Sequence, residues 1–215
     1  MAQGLTMPLP HLEAAAMVSP PDLFLRSPDA TFTAAQWEQL SHDSVCYEII
    51  DGVLYMSTVP SLLHAWVSGE VNNALRTHLV DTGVAFVFYA PIGVFILGCD
   101  PVQPDLVVVR QEGRAMLQGE RIRGVPALLV EILSPSNAAY DLVTRRVAYA
   151  RAGLPEYWIA RPAMRDVLIC TDPDTAAGQY LQVAHVQPDA ELVSPTLPFR
   201  IAITDFFVGA QFTVP

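Results

Sequence analysis

Apolar and polar positions alternate with a period of two in CYEIIDGVLYM, residues 46–56, on both sides of Asp51-Gly52. That dipeptide tolerates positive φ in a tight turn, so the segment predicts a β-hairpin with Glu48 in its first strand. From 61 to 80 the period changes. Leu63, Val67, Val71, Leu75 and Leu79 recur at spacings of four, which predicts an amphipathic helix with one core face. His64 falls in its first turn, and His78 lies too far along to ligate the same ion. Before the hairpin, Thr33 and Gln36 form a capping-box sequence and Phe32 can staple onto Trp37, so a short helix is expected to run to about Leu40.

The most apolar stretch, VAFVFYAPIGVFILGC from Val84 to Cys99, is too short for a bilayer-spanning helix and is broken by Pro91, Gly93 and Gly98. It reads as two buried strands, near 84–90 and 92–97, around a turn. Further strands are expected at 104–109 and 126–133, then a helix from about Ala138 to Ala152 ending near Gly153. PEYWIA, RDVLIC and YLQVAHV follow as strands, with a last short helix near 203–210. Strands with few, well-separated helices predict an α/β domain, a mixed sheet flanked by helices, over residues 31–215. Residues 1–30, with five prolines and little periodicity, read as an extension that lies on the domain or is flexible. They carry no basic n-region ahead of an apolar segment, which predicts no secretory signal, a cytoplasmic location and no membrane partner.

Charge changes the picture in two ways. The net charge of −10 argues against a general nucleic-acid binder. Yet from Leu106 to Gly153 seven arginines face four acids, so the basic excess gathers in one region. All twelve basic residues are arginine; the chain has no lysine. Cys46, Cys99 and Cys170 are isolated, with no disulfide framework or thiolate zinc spacing.

Glu131 stands inside ALLVEILSP, a nearly continuous apolar strand. Burying an unpaired carboxylate costs several kcal/mol, so it must bind a cation, pair with arginine or take up a proton. On period two, Leu129, Glu131 and Leu133 share one face and Leu128, Val130 and Ile132 the other. Asp105 opens another apolar strand, QPDLVVV, behind Pro104. Two strand-borne acids converging from neighbouring strands form a hard-oxygen site suited to Mg²⁺ or Mn²⁺, with Glu48 as a possible third carboxylate. Asp141, Arg145 and Tyr149 fall at i, i+4 and i+8 on one helix face, where Asp141 and Arg145 suit an ordinary helix ion pair worth roughly 0.2–0.5 kcal/mol. His64 by itself suits a capping or partly buried histidine.

YEIIDGVLYM, PSLLH, QPDLVVV, GVPALLVEILSPS, DLVTRRVAYARAG and LPEYWIA together resemble, in order, the Uma-type endonuclease family of the PD-(D/E)XK superfamily, over about residues 31–210. The resemblance implies a restriction-endonuclease-like fold and a DNA endonuclease. It implies Asp105 and Glu131, with Glu48, as ligands of Mg²⁺ or Mn²⁺, Glu48 and His64 near the same centre, and a homodimer. The superfamily's lysine two residues after the glutamate is Leu133 here. In this family it has moved to the following helix, at the position of Arg145. A guanidinium stays protonated and cannot accept a proton, though it can hold a water or stabilise phosphoryl charge. Ala127 also departs from the family's usual aspartate. The readings are therefore a metal-dependent DNA endonuclease, an inactive nuclease-like domain that binds nucleic acid or protein, and, with no glycine-rich phosphate cradle to support it, a hydrolase of small phosphorylated molecules.

Overall fold

The computed structural model describes residues 13–14, 25–40, 46–57, 59–96, 99–134, 138 and 140–210. Its centre is a six-stranded mixed sheet in the order Gln179–Val186, Asp166–Asp174, Glu156–Arg161, Leu128–Ile132, Leu106–Arg110, Ala85–Tyr89. Only Leu128–Ile132 and Glu156–Arg161 run parallel; the other neighbours are antiparallel. A parallel pair needs a crossover, and the helical stretch from Tyr140 to Arg151 supplies it.

The central strands are buried on both faces, which explains their continuous apolar runs. Leu128, Val130 and Ile132 join one core cluster with Val67, Val71, Leu75 and Leu79, the apolar stripe of the long helix. Leu129 faces the opposite cluster with Tyr149, Tyr157 and Ile159, beneath the crossover helix. The period-two division of this strand therefore holds, and Glu131 points to the side of the crossover helix.

The expected hairpin forms from Cys46–Ile50 and Val53–Ser57. Asp51 and Gly52 both take positive φ, 52° and 76°. A Cβ on Gly52 would lie 2.7 Å from the Ala30 carbonyl oxygen, so glycine is required there for close approach as well as for the turn. Thr33 and Gln36 make the capping box of the short helix Ala34–Trp37, whose Trp37 is buried with Tyr47, Ile49 and Leu54.

Three features add detail to the expected pattern. Leu25–Ala30, within the proline-rich segment, is a strand paired with Val53–Ser57, so ordered structure begins before residue 31. Pro28 falls in a register irregularity between Arg26 and Ala30, where a missing N–H costs the ladder nothing. The two strands of the 84–99 stretch belong to different sheets: Ala85–Tyr89 edges the central one, while Val94–Ile96 joins Cys99–Val102, Arg121–Arg123 and Leu117–Gln118. The last helix is a single turn, Ile203–Phe206. Among the described residues, no helix is long and apolar enough to cross a membrane.

The long helix, Leu62–Leu75, starts at Ser61, whose hydroxyl accepts from the His64 N–H. Ser61→Ala is expected to cost about 1 kcal/mol of stability, read from denaturant melts. An unchanged midpoint would show the cap to be idle.

Candidate active site

Asp105 and Glu131 meet through sheet register. Leu106 pairs with Val130, and continuing that antiparallel register by one residue sets Asp105 across from Glu131. Asp105 Oδ2 accepts from the Ile132 N–H at 2.7 Å, which ties it to the Glu131 strand. The same oxygen lies 3.1 Å from His64 Nε2. Asp105 and His64 form the accessible end of the site, with side chains 18% and 16% exposed.

Behind them is a buried acid cluster. Glu131, Glu48 and Asp141 side chains are 1–3% exposed, and all three pair with one guanidinium. Arg145 NH1 is 2.7 Å from Glu131 Oε2 and 2.6 Å from Asp141 Oδ1, while NH2 is 2.5 Å from Glu48 Oε2. Arg145 Nε is buried and has no hydrogen-bond partner among the described residues. Hydroxyls complete the shell: Tyr149 donates to Glu131 Oε1 and Tyr140 to Glu48 Oε2, both at 3.1 Å, and the Gln103 N–H donates to Glu48 Oε1 at 2.6 Å.

The backbone explains how one arginine reaches so far. Tyr140–Arg145 is a wide, π-type helical segment. In a regular α-helix, residues i and i+5 point about 140° apart. Here Tyr140 and Arg145 both reach Glu48 Oε2, and the guanidinium lies over the Tyr140 ring, 4.7 Å from its centroid. Such widened turns often occur at functional sites.

The electrostatics follow from crowding. Burial pushes the Glu131 pKa well above the usual carboxylate value; Arg145 opposes this, while Asp105, Asp141 and Glu48 add to it. Asp141 is pushed up to about 6, again by burial first. Burial would also raise Asp105, but the charge and hydrogen bond of His64 and the Ile132 N–H outweigh it and lower the pKa. Burial would lower His64, but Asp105 outweighs it and raises the pKa.

All five sequence candidates, Glu48, His64, Asp105, Glu131 and Arg145, thus lie in one site, in two connected groups. The ordinary helix pair of Asp141 and Arg145 forms, but buried and shared with Glu131 and Glu48. Arg145 has both terminal nitrogens held by acids, so its first role here is charge compensation. Gln103 and Tyr140 were not singled out by the sequence. Their signal was position, next to Asp105 through Pro104 and next to Asp141.

A model of the Uma2 family, described as "Putative restriction endonuclease", matches residues 29–204. The chain belongs to the Uma2 family. A solved structure, that of a "putative nuclease belonging to DUF820" from Anabaena variabilis ATCC 29413, superposes with a TM-score of 0.70 at 18% identity, covering 84% of this chain and 99% of that one. At that identity the likeness shows the fold, which is restriction-endonuclease-like. No functionally curated protein matches the chain.

A divalent cation suits the donor chemistry of this Uma2 site. Glu48, Asp105, Glu131 and Asp141 bring four carboxylates against one arginine, and their mutual repulsion adds to burial in holding the Glu131 and Asp141 pKa values up. Among the described residues no three acidic, histidine or cysteine side chains converge as a ligand cluster. A pair of carboxylates completed by water is the donor set Mg²⁺ commonly takes. Tyr149 fixes one oxygen of Glu131, so Tyr149→Phe is expected to weaken metal affinity or activity about 10–100-fold. Calorimetric titration of the variant measures this, and unchanged affinity together with unchanged activity would remove Tyr149 from the site.

Proposed function

We propose that this Uma2 protein is a metal-dependent phosphodiesterase that cleaves DNA. The observation that carries the reading is the pair Asp105 and Glu131, brought together where Asp105, one residue ahead of the strand Leu106–Arg110, bonds to the Ile132 N–H of the Glu131 strand, in a site with four carboxylates and one arginine. Asp105 and Glu131 would hold Mg²⁺ or Mn²⁺, which supplies charge neutralisation at phosphate and acidifies a bound water. Glu48 would act from behind, holding the Arg145 guanidinium. His64 orients Asp105 through its Nε2 contact, at the end of the site open to a substrate. Arg145 is a positioning residue that fixes Glu131 and cannot itself take a proton.

Incubation with supercoiled plasmid, linear duplex and single-stranded DNA in Mg²⁺ or Mn²⁺ tests the proposal. Nicked or shortened products that chelation suppresses are expected. Intact DNA under every metal, or cleavage indifferent to chelation, overturns it.

A second reading has its own observation. An arginine replaces the superfamily's lysine and has both terminal nitrogens committed to acids, which favours a binding module without catalysis. Under that reading the wild type leaves DNA intact, and Arg145→Lys restores cleavage if the rest of the site is competent.

Metal binding should release protons. Burial raises the pKa of Glu131 and Asp141, and Asp105 raises that of His64, so below those raised values a cation would displace protons from the site. Apparent affinity is therefore expected to rise with pH through about 6, where Asp141 titrates. Titration in buffers of different ionisation enthalpy checks the sign; heats independent of the buffer would contradict it.

A further inference from the structure

The carboxylates of the site fall into two groups. Asp105 is at the accessible end, and Glu48 and Asp141 are at the buried end with Arg145. Glu131 belongs to both, since it lies across from Asp105 in register and its Oε2 is 2.7 Å from Arg145 NH1. In two-ion phosphodiesterases the ions stand about 3.5–4 Å apart and together neutralise the reacting oxygens. Here a guanidinium already bridges the three buried acids at 2.5–2.7 Å. Charge gives the same answer. With all four carboxylates ionised and His64 neutral, Arg145 and one divalent ion leave a single net negative charge, and a second divalent ion would leave a positive one.

We propose that Arg145 is a built-in cation standing where a second divalent ion would sit, so that the site takes one divalent ion and not two. This rests on the reading of Asp105 and Glu131 as metal ligands. It assigns the arginine a purpose that lysine, with one compact ammonium, fills less well: two terminal nitrogens reach Glu131 and Asp141 on one side and Glu48 on the other.

Manganese binding to the full chain tests it. Equilibrium dialysis should give one Mn²⁺ per wild-type chain, with an uncoupled single-ion spin resonance spectrum. Arg145→Gln should take up a second Mn²⁺ and show the broadened spectrum of a coupled pair. Should that variant fail to fold alone, added Mn²⁺ should restore its cooperative melt; a variant that Mn²⁺ leaves unfolded counts against the proposal. Two coupled ions in the wild type, or one ion with an unchanged spectrum in the variant, overturn the one-ion count and leave the metal-ligand reading standing. A wild type that binds no Mn²⁺ overturns both.

Discussion

Arg145→Ala is expected to lower the stability of the metal-free protein by about 3–5 kcal/mol, the usual cost of removing one partner from a buried ion pair. Its guanidinium is the shared partner of Glu48, Glu131 and Asp141, all nearly inaccessible to water. Without it these acids must take up protons, repel one another or open the site. The loss should depend on pH. An acid whose folded pKa is raised binds more protons when folded than when unfolded, so its presence makes stability fall as pH rises from the ordinary carboxylate value toward the raised one. Glu131 and Asp141 are both raised even with Arg145 present. The variant should therefore be closest to wild type near pH 5 and furthest from it above neutrality. Denaturant melts at several pH values measure this; a loss below 1 kcal/mol at all of them would mean that Arg145 does not balance the acids.

The second large effect separates activity from stability. Glu131→Gln keeps the shape of the side chain, and its uncharged amide stands in for the protonated acid that burial favours while Glu48 and Asp141 still pair with Arg145, so its melting temperature should stay close to that of the wild type. Metal-dependent cleavage should nevertheless disappear, and Asp105→Ala should abolish it too. A Glu131→Gln protein that cleaves at the wild-type rate would remove Glu131 from the chemistry, whatever its melting temperature.

Much of this site was legible in the sequence because strand and helix periods place side chains reliably. The Asp51-Gly52 turn put Glu48 in a strand, the apolar run around Glu131 marked a desolvated acid, and spacing paired Asp141 with Arg145. Of the three fates open to Glu131, the structure shows pairing with arginine, while burial still holds its pKa above the usual carboxylate value. What spacing could not show is long-range. Tyr140 joins Glu48 only because the helix widens locally, and Gln103 reaches it through a contact 55 residues apart in sequence. The strand Leu25–Ala30 was hidden by Pro28, whose tolerance depends on a local irregularity that only the paired strand reveals. The 84–99 stretch predicted two strands correctly, but local pattern does not say which sheet a strand joins.

We propose that Asp105 and Glu131 hold a divalent ion. Crystals soaked in Mn²⁺ and measured at the manganese absorption edge test it most directly. One anomalous peak is expected within bonding distance of both carboxylates, with Arg145 still paired to Glu48. A saturating soak with no peak between Asp105 and Glu131, or with the ion held elsewhere, would contradict it.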